Sequence, residues 1–198
     1  NSSGLIEKYR ENLLLQSNSF NTSPWGADDI TLTSGHSGYD GSNDAWLVID
    51  NNSLSEHKII QNPQSGLSTI SVYAKANTRD WLYLRGVTSS ANVRAWFNVS
   101  TGVLGSSIGA VIDYNIENIG DGWYRCSMTL NQQVGFEHYI GLSTADGVSN
   151  YTGNGSSIFI QDCQVESGLV ATEYLNSTSV TAKGGVLIDL PRINYDAN

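Results

Sequence analysis

Basic residues are scarce in this chain. Ten Lys and Arg stand against nineteen Asp and Glu in 198 residues, giving a net charge of -9 and a pI near 4.5. Neutralising nucleic-acid phosphates takes clustered cations, and these ten are scattered, so nucleic acid is excluded as a partner. An acidic membrane surface is disfavoured for the same reason. Only two cysteines are present, too few for a disulfide framework or a metal cluster. Cys126 and Cys163 sit in the strand-like runs CSMTL and IFIQDC. They read as buried free thiols, with a single cross-strand bridge as the alternative. The three histidines, His36, His57 and His138, lie far apart and none has metal-ligand spacing. No apolar run approaches the ~20 residues of a membrane span, and no signal-peptide pattern is visible. A long amphipathic helical pattern is also missing.

What remains is the composition of a β-rich, loop-rich protein. Gly numbers 20, Tyr 10 and Trp 5, while charged residues make up only 15%. The length suits one domain with a full core. Short alternating runs recur every eight to twelve residues, divided by turn signals. They fall at Ile30–Thr33, Ala45–Asp50, His57–Gln61, Thr69–Lys75, Trp81–Arg85, Val93–Val99, Ala110–Asn115, Trp123–Leu130, Glu137–Leu142 and Ser157–Val165. A further run spans Gly185–Leu190, followed by Pro191–Tyr195. Nine to eleven short strands of this kind predict an all-β antiparallel sandwich. Residues 1–11 read as a linker from a preceding module, 12–179 as the sandwich with a first strand at Asn12–Gln16, and 180–198 as a C-terminal extension. The chain opens on Asn, as a segment excised from something longer would.

The stretch Thr69–Gly86 carries the most chemistry. Ile70, Val72, Ala74, Leu82 and Leu84 fall on aliphatic faces, whereas Tyr73, Lys75, Trp81, Tyr83 and Arg85 fall on opposite, aromatic and cationic ones. Paired as a hairpin, the two runs would align their aliphatic faces only across an odd loop of three or five residues. Val93–Val99 repeats the pattern with Arg94, Trp96 and Asn98. Flat aromatic rings beside hydrogen-bonding cations suit a sugar, with its apolar CH face and hydroxyl rim. The expected ligand-binding residues are therefore Trp81, Tyr83, Arg85, Arg94 and Trp96, joined by Tyr73. The competing expectation is that these rings are covered by a loop or a second sheet.

Enzyme signatures are weak. Gly105-Ser106-Ser107-Ile108-Gly109 fits G-x-S-x-G, but a nucleophile elbow needs a helix after it, and AVIDYNI is strand-like. Glu137 with Glu166, or Asp113 with Glu117, are the available carboxylate pairs for glycoside hydrolysis. Oxygen-rich loops bearing Asp40, Asp44, Asp146, Asp162 and Glu166 would suit a structural calcium, without EF-hand spacing and with solvated turns as the competing reading.

Several runs in order resemble a known family: ENLLLQSNSF with Pro24-Trp25, SVYAKANTRDWLYLR, AWFNVSTGVLG, GDGWYRCSMT, and YTGNGSSIFIQDCQVESGLVATEY. Together they resemble the jelly-roll, carbohydrate-binding-module-like domain recurrent in bacteriophage tail, fibre and other virion proteins. The resemblance implies a lectin-like, galactose-binding-type fold with no catalytic residues. It also implies a virion or extracellular setting, with cell-surface glycans and neighbouring virion subunits as partners. Two features depart from the family pattern. The run Gln161–Gln164 replaces a more usual aromatic-glycine-alanine-glutamine stretch, and an extended GHSGYDGSNDAW loop precedes the third strand.

Overall fold

Alternation becomes strand almost wherever it occurs. The computed structural model describes residues 10–63, 66–89 and 91–184, and within them there is no helix. The first eight strands are β1 (Arg10–Asn12), β2 (Gly26–Asp28), β3 (Ile30–His36), β4 (Ala45–Asp50), β5 (Leu54–Ser55), β6 (Lys58–Gln61), β7 (Leu67–Ala76) and β8 (Trp81–Val87). Then come β9 (Asn92–Asn98), β10 (Val103–Ile108), β11 (Val111–Gly120), β12 (Trp123–Asn131), β13 (His138–Ser143), β14 (Tyr151–Thr152), β15 (Ser157–Ser167) and β16 (Ala182–Gly184). The expected run at Gly185–Leu190, the segment Pro191–Tyr195 and residues 1–9 lie outside the described residues.

Two six-stranded antiparallel sheets result. Sheet I has the order β10-β9-β8-β13-β6-β2, and sheet II the order β11-β12-β7-β15-β4-β3. Hairpins β3–β4, β8–β9–β10 and β11–β12 stay within a sheet, while β6 to β7, β7 to β8, β10 to β11 and β12 to β13 cross between sheets. This is a jelly-roll β-sandwich. In the β11–β12 turn, Asp121 and Gly122 both have positive φ, 51° and 78°, the conformation a two-residue type I′ turn requires.

The core forms where the sheets' inner faces meet. Ile70, Val72 and Ala74 of β7 and Cys126, Met128 and Leu130 of β12 face Leu82 and Leu84 of β8 and Ala95 and Phe97 of β9, all fully buried. Each large aliphatic or aromatic side chain buried this way contributes about 1.5–3 kcal/mol. Both cysteines are free and buried, and burial pushes their thiols well above the ordinary range.

Here the expected hairpin fails. β7 belongs to sheet II and β8 to sheet I, joined by an arch over Asn77–Asp80. Each aliphatic face is buried against the other across the core, which removes the parity constraint that pairing within one sheet imposes. The arch is pinned from beneath by Asp50, whose carboxylate is fully buried. One oxygen accepts from the backbone N–H groups of Asn154, Gly155 and Ser156; the other accepts from Arg79 and, at 3.0 Å, from the Tyr151 hydroxyl. Burial opposes ionisation of Asp50, but the Asn154 N–H and Arg79 outweigh it and hold the carboxyl below its ordinary range.

The first strand starts two residues earlier and ends four earlier than expected, sharing only Asn12 with the expected run. Arg10–Asn12 pairs with Ala182–Gly184, so β16 is tied to the body of the sandwich.

Candidate functional site

The outer face of sheet I receives five of the six expected ligand residues. Trp81, Tyr83 and Arg85 of β8 lie beside Trp96 and Arg94 of β9, with Tyr83 opposite Trp96 and Arg85 opposite Arg94. Tyr83 and Trp96 are buried, at 0% and 1% exposure. The Tyr83 ring lies over Gly141, where a Cβ would come within 2.1 Å of it. The Trp96 indole N–H donates to the Val148 carbonyl of the loop after β13, at 2.8 Å. Arg85 and Arg94, with Lys58, surround the Glu56 carboxylate, and Arg85 stacks over Tyr139 at 4.1 Å. The aromatic and cationic residues are thus gathered as expected, but these two rings have their faces covered and offer no open stacking platform.

Tyr73, the sixth, lies on the opposite side of the molecule because β7 is in sheet II. There the pairing of β11, β12, β7 and β15 aligns Glu117, Arg125, Tyr73 and Gln161 in one row, and Asn115, Ser127, Ser71 and Gln164 in the next. A sheet face this polar cannot be core, and the chain after β15 covers part of it. Arg125 donates to Ser71 Oγ at 3.0 Å and to the Thr172 carbonyl. Glu166 accepts from Thr172 N and Oγ1 at 2.8 and 2.7 Å, and Gln164 Oε1 accepts from Leu175 N at 2.8 Å.

Between this C-terminal segment, the β3–β4 loop and β11, a groove of about 760 Å³ is left open. Tyr73, Arg125 and Asp162 lie in its base; Tyr39, Asp40 and Asp44 form one wall, Glu117 and Ile119 another, and Glu173, Tyr174 and Asn176 the third. Tyr39 stacks flat on Tyr73, with ring centroids 3.8 Å apart and planes 9° from parallel, and Trp123 meets Tyr39 edge-on at 6.2 Å. Arg125 stands over the Tyr73 ring at 5.2 Å, and its Nε is buried with no hydrogen-bond partner among the described residues. A smaller cavity of about 180 Å³ adjoins this groove, sharing Glu117 and Arg125 with it and adding Asp113, Asn115, Ser127 and Thr129.

The extended loop before β4 and the Gln161–Gln164 run meet in the groove wall. Gln161, fully buried, accepts from Tyr39 N at 3.0 Å and donates to Asp40, Ser42 and Asp44 of the extended loop. Its neighbour Asp162 occupies a β-bulge with φ of 53°, left-handed and rare for a non-glycine residue, and accepts from the Tyr39 hydroxyl at 2.9 Å. Burial, together with the charges of Asp44 and Asp40, pushes the Asp162 carboxyl up to about 6 against the lowering effect of the Tyr39 bond. Asp40 is instead held below its ordinary range, chiefly by Ser42.

The remaining candidates separate. Ser107 lies in the edge strand β10, with no elbow and no following helix. Glu137 precedes β13 of sheet I, while Glu166 in sheet II is enclosed by Thr172 and Gln164, so the two do not meet. Asp113 and Glu117 share one face of β11 four residues apart, about 13 Å at the rise of a strand, which exceeds the separation of glycosidase carboxylates. Of the acids considered for calcium, Asp40, Asp44 and Asp162 come together, Asp146 lies near Trp81 on sheet I, and Glu166 is enclosed. The Gln161 amide, a donor, sits where a cation would approach Asp40 and Asp44. Among the described residues no group of three or more His, Cys, Asp or Glu side chains is arranged to hold a metal ion. His57 binds the Asp29 and Tyr151 carbonyls, and burial lowers His138 to about 4.

Sequence reasoning missed Arg125, Asp162, Tyr39 and Glu117 as members of one site. Arg125 was legible as outward-facing from the alternation of β12, but its placement beside Tyr73 follows from register alone.

No family model and no curated protein sequence matches the chain. Several solved structures are similar to it. The CBM22-1 and GH10 modules of Clostridium thermocellum endo-1,4-β-D-xylanase 10B, complexed with xylohexaose, match over 86% of this chain and 30% of that one, at 13% identity and a TM-score of 0.44. The CBM22-2 xylan-binding domain of Paenibacillus barcinonensis Xyn10C matches over 80% of this chain and 98% of its own, at 11% identity and 0.43. The enzymatically active domain of bacteriophage CBA120 tailspike protein 4 matches over 78% and 21%, at 14% identity and 0.42. The chain thus spans under a third of the first and last of these.

Proposed function

We propose that this chain is a non-catalytic carbohydrate-binding module whose ligand lies in the groove on the outer face of sheet II. The observation that carries this reading is the groove's lining: half-exposed Tyr39 and Tyr174, backed by Tyr73 and Trp123, surrounded by carboxylates, the amides of Gln16, Asn18 and Asn176, and one arginine. Rings of this kind take the CH face of a sugar, and the acids and amides take its hydroxyls. The groove's volume falls within the range of small-molecule sites. Affinity at one such site is expected at about micromolar to millimolar, raised by multivalency in an assembly. With the virion-domain resemblance, the role that follows is attachment of a phage-like tail, fibre or decoration protein to cell-surface glycans, in a virion or extracellular setting.

A second reading has its own observation. Val103, Leu104 and Ile108 of edge strand β10 and Ile112 and Ile119 of edge strand β11 are exposed apolar residues. Unpaired edges of this kind favour contact with another chain, as in a virion assembly domain packing on neighbouring subunits.

A glycan array separates the sites. Tyr39→Ala and Glu117→Ala should each lose array hits that Trp81→Ala retains, with all three variants still melting cooperatively. Loss confined to Trp81→Ala would move the site to sheet I. No hits for the folded parent, together with dimers or trimers in solution, would favour assembly.

A further inference from the structure

The charge of the groove restricts what it can hold. Asp40, Asp44, Glu117, Asp162 and Glu173 line the main cavity, and Asp113 lines the adjoining one. Among the described residues the sole basic side chain lining either cavity is Arg125, committed to Ser71 and the Thr172 carbonyl and lying over Tyr73. The free cationic ligand partners that an acidic sugar requires are therefore missing from the lining. Arg85, Arg94 and Lys58 lie on the other face of the sandwich around Glu56, and beside the groove Arg10 is already paired with Glu173 at 3.5 Å. Glu117 and Glu173 are exposed, and among the described residues the Glu117 carboxylate makes no hydrogen bond, so its oxygens are available to hydroxyl donors.

We infer that the groove selects uncharged glycans, with its carboxylates accepting from sugar hydroxyls and repelling any uronate or sialate along the same path. This rests on the glycan-binding reading above and deepens it. Hydroxyls donate to carboxylates in charge-assisted bonds, stronger than those to neutral acceptors. A carboxylate on the ligand would meet the like charges of Asp40 and Asp44 on one wall and Glu117 on another, with Glu173 on the third paired to Arg10, through a groove that solvent screens only in part. The Arg125 Nε, buried without a partner, marks the base as a place where polar capacity is left over for an incoming acceptor once the side chain adjusts. A sugar hydroxyl or ring oxygen supplies such an acceptor without bringing a charge.

The test uses the full chain and matched polysaccharides that differ in oxidation at one carbon: galactan with galacturonan, mannan with mannuronan, and glucan with glucuronan. Retention of each is measured at about 20 and 500 mM salt, for the parent and for the double variant Glu117→Gln/Glu173→Gln. The neutral member of at least one pair should be retained at least tenfold better than its uronate form. The gap should narrow severalfold in high salt and again in the double variant, which keeps the hydrogen-bonding shape and removes two charges. Equal or better retention of uronate forms would overturn the inference while leaving glycan binding in place. A gap insensitive to salt and to the double substitution would overturn it as well, since shape and not charge would then discriminate. Retention of no member of any pair would remove the glycan reading, and this inference with it.

Discussion

Replacing Asp162 by Asn should stabilise this protein at neutral pH and leave it unchanged in acid. Asp162 is 6% exposed, holds a left-handed backbone that Asn also tolerates, and accepts a bond from Tyr39 that an amide oxygen can equally accept. What the substitution removes is the charge. Burial raises the carboxyl from 3.8 to about 6, so the folded state holds its proton more tightly than the unfolded chain does. The sign follows: the penalty is absent below pH 3.8, grows between 3.8 and 6, and is complete above 6. At about 1.4 kcal/mol per pH unit, the full rise amounts to about 3 kcal/mol. For a chain of this size that is about 6–12 °C in Tm. Urea unfolding of both proteins at intervals from pH 3.5 to 8 measures it, because every titrating group not coupled to Asp162 cancels in the difference, leaving Asp162 and its neighbours Asp40 and Asp44. The curves should coincide near pH 3.5 and separate to about 3 kcal/mol by pH 7. Parallel curves across the whole range would refute burial of a charge at Asp162.

Three further outcomes follow from the same structure. Asp50→Asn, which breaks a buried pair with Arg79 while keeping the shape, should cost about 3–5 kcal/mol, read as a fall in Tm with little change in glycan retention. Trp96→Ala should cost about 3–5 kcal/mol by urea unfolding, because the ring is a buried filler beneath the loop after β13 and not a platform for sugar. Tyr39→Ala should weaken glycan retention about tenfold or more, measured by affinity electrophoresis, while unfolding remains cooperative.

The strands were legible because alternation bounded by turn residues has a single local reading. Ala45–Asp50 was delimited residue for residue, and Asp121-Gly122 fell at a turn. Sheet membership was not legible. Alternation states that Tyr73 and Tyr83 point away from an aliphatic face, and a sandwich has two outer faces, so the residues separated by the Asn77–Asp80 arch went to opposite sides. Burial of the sheet I aromatics was also beyond the sequence, since it depends on Gly141 admitting the Tyr83 ring and on a loop carbonyl reaching Trp96. The groove had a signal of its own in two irregularities of the sequence. A long loop and an unusual Gln-Asp pair appear as unrelated irregularities along the chain, yet Gln161 holds that loop against the sheet. The bulge that turns Asp162 into the groove leaves no periodic trace, because one inserted residue alters a strand's direction without changing its composition.

The central claim is that ligand enters on sheet II, and the five tryptophans report on it directly. Trp123 lies behind the groove against Tyr39, whereas Trp81 and Trp96 lie on sheet I, with Trp25 and Trp46 elsewhere in the fold. The measurement is an NMR titration of the indole N–H signals with an oligosaccharide identified on the array. The account predicts a saturable shift of the Trp123 signal with Trp81 and Trp96 unmoved. Movement of Trp81 and Trp96 with Trp123 unmoved would contradict it.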